Sequence, residues 1–567
     1  MSKLLKEQID QEIDRFRKKK KERSLFERQW QDICDLMIPE RSGFISETSK
    51  GDKTTKKIYD GTAIDALNVC VAGISGMLTN AALPWNYVKM ADNDLNMEED
   101  IRAGLIQANE VLNNEINMSN FYVNIDETYL DGTGLGTGCI YIGQGSKTLL
   151  NYRARPLNEI FLDENEDGYV DTVWRCFKMS ARLAKSKWGE NNLPSAIKTA
   201  LAANEVDKEF EIIHLVRPRE KRDTDGNGNY KFDNLNMPYL SAYLYEGEKM
   251  LIDEGGYEEF PYAVARMRKL SGEVYGRGPG WNALPDVSML NTMELTGIRS
   301  WQKASDPPVV VPDEGYSLPI KTGPGGVTYN SNWDKPGSDP KPLYPSNPNL
   351  PNFEKKCEQK REQIREFFYN KQFRTQQEGQ PRTAQEIIQI ASENLKILGP
   401  VLGRFQPELL KTVVERSFGI CFRAGRFPIL EQALMVRFGP NLRSENVLKL
   451  IKVIFVSPIT KAQMLYEVQE LQNAFSMILP TANIKPEILD RIDGDKVYDE
   501  VSELYPALQK VTVDEKKVKQ IRDQREKQRV EQKTKEDAAL LLAGAEQASK
   551  INPTEGLLGT LSGNVGT

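Results

Sequence analysis

Histidine is nearly absent from this chain, with His214 the single example among 567 residues. It precedes Leu215 and Val216 in an apolar stretch, and no Ser or Cys motif elsewhere offers it a partner. A core or interface position is therefore expected for it, not a general base. Cysteine is also sparse. Cys34, Cys70, Cys139, Cys176, Cys357 and Cys421 lie far apart without a C-x-x-C pair, which argues against zinc and dithiol sites and for scattered buried thiols. The opening Met1-Ser2-Lys3 runs into charged residues, unlike a signal peptide. One segment, Ala66 to Leu83, is apolar enough to raise the question of a bilayer span. It carries Asn68, Ser75, Thr79 and Asn80 around Gly73 and Gly76, so a buried small-residue helix is expected and no membrane partner. A basic excess is missing too: the net charge is −6, the wrong sign for a general nucleic-acid binder.

Motifs for chemistry are incomplete. Gly132-x-Gly134-x-Gly136-x-Gly138 lacks the G-x-G-x-x-G spacing of a dinucleotide site, and Gly145-Ser146-Lys147-Thr148 lacks the full spacing of a P-loop. Asp163-x-Asn165-x-Asp167-Gly168 opens like a calcium loop, but its twelfth position is Trp174, where a bidentate Glu is required, so a hairpin turn is expected. No catalytic, cofactor-binding or metal residue is assigned. An enzymatic alternative would be a metal-dependent nuclease on Asp163, Asp167 and Asp171, and a further alternative is a low-order scaffold whose hairpin binds another partner.

What the chain does have is proline between two helical patterns. Pro307, Pro308, Pro312, Pro319, Pro324, Pro336, Pro340, Pro342, Pro345, Pro348 and Pro351 preclude a helix over 306–351. Helical periodicity flanks that stretch at Trp281 to Ser305 and Asn352 to Asn370. Their apolar seams are thin: Leu284, Val287, Leu290, Met293, Ile298 and Trp301 on the first, Phe353, Cys357, Ile364 and Phe368 on the second. A charged hairpin with a narrow seam points to a lateral partner, such as copies of itself in a ring.

Elsewhere, residues 1 to 37 read as a long helix stopped by Pro39, and Glu98 to Asn117 as another. Alternating runs at Cys139–Gly143, Leu149–Arg153, Tyr169–Phe177, Phe210–Arg217, Tyr239–Tyr245 and Lys249–Ile252 predict an antiparallel β-rich region, with helices near Ala181–Trp188 and Pro194–Ala203. Thr383 should cap a helix that kinks at Gly399-Pro400 and resumes to Phe422. Strands are expected near Ala433–Phe438 and Lys449–Phe455, and helices at Lys461–Ile478 and Lys485–Ile492. Asp514 to Asp537 forms a charged helix unable to build a core.

Four phrases carry a resemblance: Trp30 to Pro39 (WQDICDLMIP); Ile58-Tyr59-Asp60 before a small-residue helix ending at Leu83-Pro84-Trp85; Tyr275-Gly276-Arg277-Gly278-Pro279; and Arg382-Thr383-Ala384-Gln385-Glu386. In this order, across roughly residues 25 to 505, they resemble the head-to-tail connecting, or portal, proteins of short-tailed bacteriophages. The resemblance implies an α+β portal fold forming a ring oligomer, a dodecamer. It implies N-terminal helices and a β-rich wing over 1–272, a first stem helix over 273–305, an irregular clip over 306–351 including Pro307, Pro308, Pro312 and Tyr344, and a second stem helix over 352–370. A tunnel loop over 371–382, a kinked long helix over 383–424, a return to the wing over 425–500 and a crown with a C-terminal tail over 501–567 complete the division.

In the tunnel loop, Lys371 and Arg374 would meet phosphates while Gln372, Gln376 and Gln377 offer neutral hydrogen bonds to a moving backbone. The implied role is a conduit at one capsid vertex for double-stranded DNA, in the virion after assembly in the host bacterial cytoplasm. A separate terminase large subunit would drive packaging, a tail adaptor would dock at the clip, and the major capsid protein and scaffold would surround the ring. A ring of about twelve such chains would carry roughly −70 formal charges, which suits a bore along which DNA slides without sticking.

Overall fold

Apolar residues recur every three or four positions from Ile9 to Phe16 and again from Phe26 to Met37, and one unbroken helix, α1 (Lys6–Met37), runs through the basic stretch between them. The computed structural model describes residues 4–305 apart from 42, 46–50, 52, 225–229 and 232; then 308–310, 319, 327–336, 341–342, 350–373, and 397–456 apart from 401 and 440–442; and finally 473–478, 494, 497–498 and 515–549. The chain divides into two compact units, Met1–Gln469 and Glu470–Thr567.

In the first unit, α2 (Thr62–Leu78), β1 (Asn86–Met90), α3 (Asn93–Met97), α4 (Glu99–Met118) and α5 (Phe121–Gly134) precede the sheets. The small-residue segment is the buried helix α2, and no helix among the described residues is long and apolar enough to cross a membrane. A three-stranded sheet has the order β3 (Leu150–Arg155), β2 (Thr137–Gln144), β9 (Tyr262–Arg266). A five-stranded antiparallel sheet runs β4 (Ile160–Glu164), β5 (Val170–Ser180), β6 (Glu209–Pro218), β7 (Tyr239–Tyr245), β8 (Met250–Tyr257). Between β5 and β6 the chain forms α6 (Ala181–Trp188) and α7 (Ser195–Ala202).

Strand alternation sends the two faces of the larger sheet to different partners. Trp174, Ile213, Leu215 and Leu244 meet Ile9, Ile13 and Phe16 of α1. Phe177, Ile212 and Ile252 meet Ala184, Trp188 and Ile197 of α6 and α7. The later half of α1, from Trp30 to Met37, enters the main core with α2, α4 and α5.

After β9, α8 (Pro279–Ser305) runs out and α9 (Leu350–Phe367) runs back, with β10 (Val309–Val310) and β11 (Lys341–Pro342) paired antiparallel between them. The short α10 (Asn370–Phe373) follows. Beyond it come a π-helix (Phe405–Leu410), α11 (Lys411–Arg423), α12 (Pro428–Phe438), α13 (Ser444–Leu450) and β12 (Ile451–Phe455), which returns to pair antiparallel with β1. In the second unit, residues 473–478 are helical and α14 (Glu515–Ser549) forms a helix exposing Ile521 and Val530.

Two expectations need correction. The strand at Ala433–Phe438 is instead part of α12: Pro428 sits in its first turn, and Leu430 and Leu434, four residues apart, are buried. Leu430 packs against Gly104 of α4, where a side chain at Gly104 would strike the Leu430 backbone. The strand assigned from Lys449 begins only at Ile451, because Lys449 and Leu450 complete α13. A further irregularity follows the Gly399-Pro400 pair. Residues 397–400 are helical, Gly403 and Arg404 turn, and the π-helix follows with Pro407 inside it. Proline cannot donate to the preceding turn, so the wider π geometry at this point has a local cause. Most of the helices expected at 461–478 and 485–492, and the start of the helix at Thr383, lie outside the described residues.

Candidate functional site

The glycines of both rich segments meet each other. Added β-carbons at Gly276, Gly278 and Gly280 would strike the carbonyl oxygens of Gly136, Thr133 and Gly134, so the two chains cross backbone to backbone. Gly136 also has φ +94°, a conformation other residues rarely adopt. The crossing is fastened by Gly276 N donating to Thr137 Oγ1 at 2.8 Å, and by two indoles donating to the same acceptor: Trp30 Nε1 at 3.2 Å and Trp281 Nε1 at 2.7 Å from the Leu135 carbonyl. Tyr275 meets Trp30 edge-on at 5.1 Å. The glycine series is therefore a packing device, not a phosphate cradle, and the WQDICDLMIP and YGRGP phrases close on one point at the base of α8.

Ile58-Tyr59-Asp60 straps the hairpin. Tyr59 N donates to Asn291 Oδ1 and Asn291 Nδ2 to the Lys57 carbonyl, each at 2.7 Å. Arg361 of α9 reaches Asp60 Oδ2 at 2.9 Å and Glu294 Oε1 of α8 at 2.6 Å. Burial would raise the Asp60 carboxyl, but the hydrogen bonds from Thr62 and the Arg361 guanidinium hold it below its ordinary value. Lys360 pairs with Asp286 at 2.8 Å.

The predicted seam divides along its length. Leu290, Cys357, Ile364 and Phe368 are buried in the main core of their own chain, and Phe353 packs half-buried over Gly297. Trp301 is 51% exposed and Ile298 41%. Together with Glu294, Pro351, Glu354 and Lys355 they line an open groove of about 530 Å³ between the two helices. Of the predicted tip residues, Pro308 is exposed, whereas Pro307, Pro312 and Tyr344 lie outside the described residues.

Lys371 and Gln372 belong to α10, whose Phe373 lies on Gly73 of α2. Lys371 Nζ is 2.6 Å from Glu366 Oε1 and 3.1 Å from Glu362 Oε1, contacts that raise its pKa. Gln372 is half-buried, while Arg374, Gln376, Gln377 and the Arg382 to Glu386 phrase lie outside the described residues.

Sequence reasoning missed a buried ionic hub beside the π-helix. The Arg266 guanidinium, 1% exposed, bonds Glu408 Oε2 at 3.0 Å and Oε1 at 3.1 Å, the Gly168 carbonyl at 2.8 Å and the Glu164 carboxylate. Lys269 completes the Glu164 pair. Asp167-Gly168 is thus the turn of the β4–β5 hairpin, docked onto the long-helix region through Arg266. A second hub joins Glu258 and Glu259 to Arg416, Arg423 and Ser444. There burial would raise Glu259, but the two guanidiniums hold it below its usual range.

The family model described as "Bacteriophage head to tail connecting protein" matches residues 10–511. The chain belongs to that family. A portal protein of Salmonella phage epsilon15 is 28% identical over 516 residues, covering 90% of this chain and 89% of its own. A probable portal protein of Bordetella phage BPP-1 is 26% identical over 549 residues, covering 96% and 95%. In this head-to-tail connecting protein Asp163, His214 and most of the cysteines sit in structural surroundings. Asp163 pairs with Lys19 at 3.0 Å and with Arg15 at 3.5 Å. His214 is buried, bonded to Tyr262 Oη and Ser241 Oγ at 3.0 Å each, and burial drives its pKa down. The six cysteines carry no disulfide, and five of them are buried.

Proposed function

We propose that this connecting protein acts as a portal, a ring at one vertex of a phage head through which double-stranded DNA is packaged and later leaves. The observation that carries this reading is the family match over residues 10–511, joined by relatives named as portal proteins that align along almost their whole length. On this reading the two β-sheets with α1, α6 and α7 make the wing, α8 and α9 the stem, residues 306–351 the clip, residues 371–382 the tunnel loop and α14 the crown. The ring is a dodecamer. The half-exposed Trp301 and Ile298 on the groove between α8 and α9 supply a lateral contact for the next copy, in keeping with the head-to-tail surfaces that close a cyclic assembly. A terminase large subunit drives the DNA, a tail adaptor docks at the clip, and the major capsid protein and scaffold surround the ring. The chain's role is that of a structural conduit with no chemistry of its own.

Light scattering with negative-stain imaging of the purified full chain tests the reading. The expected particle is closed, has an axial hole, and weighs roughly 770 kDa, about twelve chains of 64.3 kDa. A monomer that persists at high concentration and across a range of salt would overturn it.

A further inference from the structure

The α6 face of the five-stranded sheet carries a polar row in strict register. Arg175, His214, Tyr243 and Asp253 are successive cross-strand partners on β5, β6, β7 and β8. His214 stacks on Tyr243 with ring centroids 4.3 Å apart, and the Lys187 ammonium of α6 sits 3.8 Å from the centroid of the same Tyr243 ring. On the other side Tyr262 bridges to the smaller sheet, bonding His214 and packing 5.2 Å from Tyr141. The Arg155 guanidinium lies 5.5 Å from the Tyr141 ring. A continuous aromatic ribbon therefore joins the two sheets and holds a cation over each end.

The charges along it do not balance. Arg153 and Arg155 stand two apart on β3, hence on one side of an edge strand. Neither side chain makes a hydrogen bond or ion pair with a described residue, and Arg155 Nε is buried without a partner. Arg175 spends one nitrogen on Glu159, at 2.8 Å. Lys187 has Asp253 in electrostatic range, but Arg153, Arg155 and Arg175 act on it too, and burial with these like charges lowers its pKa to about 8. Four cations face two carboxylates, in a chain whose overall charge is negative. Such a cluster is costly in the empty protein and favourable once an anion is shared among its members. Guanidinium forks at the rim select planar, multidentate oxyanions. The two β3 arginines, about 7 Å apart along the strand, match the scale of successive phosphates on one nucleic-acid strand better than a single carboxylate.

We propose that Arg153, Arg155, Arg175 and Lys187 form a binding site for the phosphates of duplex DNA, separate from residues 371–382. The site needs neither a ring nor a channel, so it stands or falls apart from the conduit reading.

The probe is a covalently closed DNA circle, which a closed ring cannot thread, titrated onto the full chain between 50 and 200 mM salt. The wild type is expected to bind without sequence preference, and R153Q/K187Q to bind roughly tenfold or more weakly, with a log–log salt slope shallower by about two. R153K should keep most of the slope. Arg153 is exposed and Lys187 is only part-covered by the Trp188 and Tyr243 rings, and unchanged melting of the variants confirms that the fold is intact. Equal affinity and slope in R153Q/K187Q would overturn the site. So would a variant that changes assembled mass but not DNA binding, since the cluster would then pair with acidic groups of a neighbouring copy. Inorganic pyrophosphate bound in a cluster-dependent way, with the circle left unbound, would overturn DNA as the source of the phosphate.

Discussion

Replacing Arg266 by methionine tests whether the β4–β5 hairpin is bolted to the π-helix by charge. The wild-type guanidinium is 1% exposed, chelates both oxygens of Glu408, caps the Gly168 carbonyl and pairs with Glu164. Methionine keeps most of the volume but leaves the Glu408 carboxylate, whose side chain is 6% exposed, with the Arg404 contacts alone among the described residues. Glu164 retains Lys269, and the Gly168 carbonyl loses its charged donor. Removing one partner of a buried ionic pair costs about 3–5 kcal/mol, because an uncompensated charge stays in a poorly solvated site. Urea unfolding followed by tryptophan fluorescence should show a loss of that size in the first transition. E408Q alone should cost less, since the amide still accepts from the guanidinium, and R266M/E408Q should recover part of the loss, with a coupling of about 1–3 kcal/mol. A loss below about 1 kcal/mol in R266M, or strict additivity in the double variant, would refute the electrostatic bolt.

Gly278→Ala should destabilise the crossing by about 1–3 kcal/mol or more, read as a lowered melting temperature, because its methyl group meets the Thr133 and Gly132 carbonyls. Asp131, fully buried, has its carboxyl raised by burial to about 6 in spite of the Arg41 guanidinium. The folded chain thus holds a proton that the unfolded chain releases near pH 4, so stability from this group falls as pH rises from about 4 to 6, by up to about 3 kcal/mol. D131N should flatten the stability profile across that window. At the hairpin, Trp301→Ala should leave the monomer's melting unchanged and weaken ring assembly, measured by mass photometry. Ile364→Asp, at 0% exposure, should destabilise the monomer by several kcal/mol before assembly is reached.

The hairpin, the buried α2 and most of the antiparallel sheet were legible because each is written locally. Proline density ends a helix wherever it occurs, and the runs Phe210–Arg217 and Tyr239–Tyr245 are short and rich in β-branched or aromatic residues. The β1, β4 and β9 strands were missed. Ile160-Phe161-Leu162 is a three-residue apolar run stopped by two acids, and only β5 beside it makes it a strand. Tyr262-Ala263-Val264-Ala265-Arg266 is buried throughout and so shows no alternation. Val436 and Phe438 looked like strand residues, but 85% and 43% exposed they decide nothing, and the Leu430 contact with Gly104 sets the helix. The ionic hubs were invisible for a related reason. Arg266 and Glu408 are 142 residues apart, and in a chain with 28% charged residues nothing marks two of them as partners until the fold brings them together. Pro407 was the available signal for the π-helix, overshadowed by the Gly399-Pro400 pair.

The pairing of β1 with β12 sets a clock on biosynthesis. Asn86 faces Phe455 across that two-stranded sheet, so its first strand leaves the ribosome long before this partner exists. At about 5–20 residues per second, that delay is roughly 20–75 s. Through that interval β1 offers an open edge beside α4, whose Gly104 groove also waits for Leu430. A chain ending before Leu430 can close neither, and one ending between Leu430 and Ile451 still carries the unpaired strand that invites aggregation. Arrival of residues 451–455 is thereby written into the geometry of the earliest strand, and a copy without them leaves that strand's edge open.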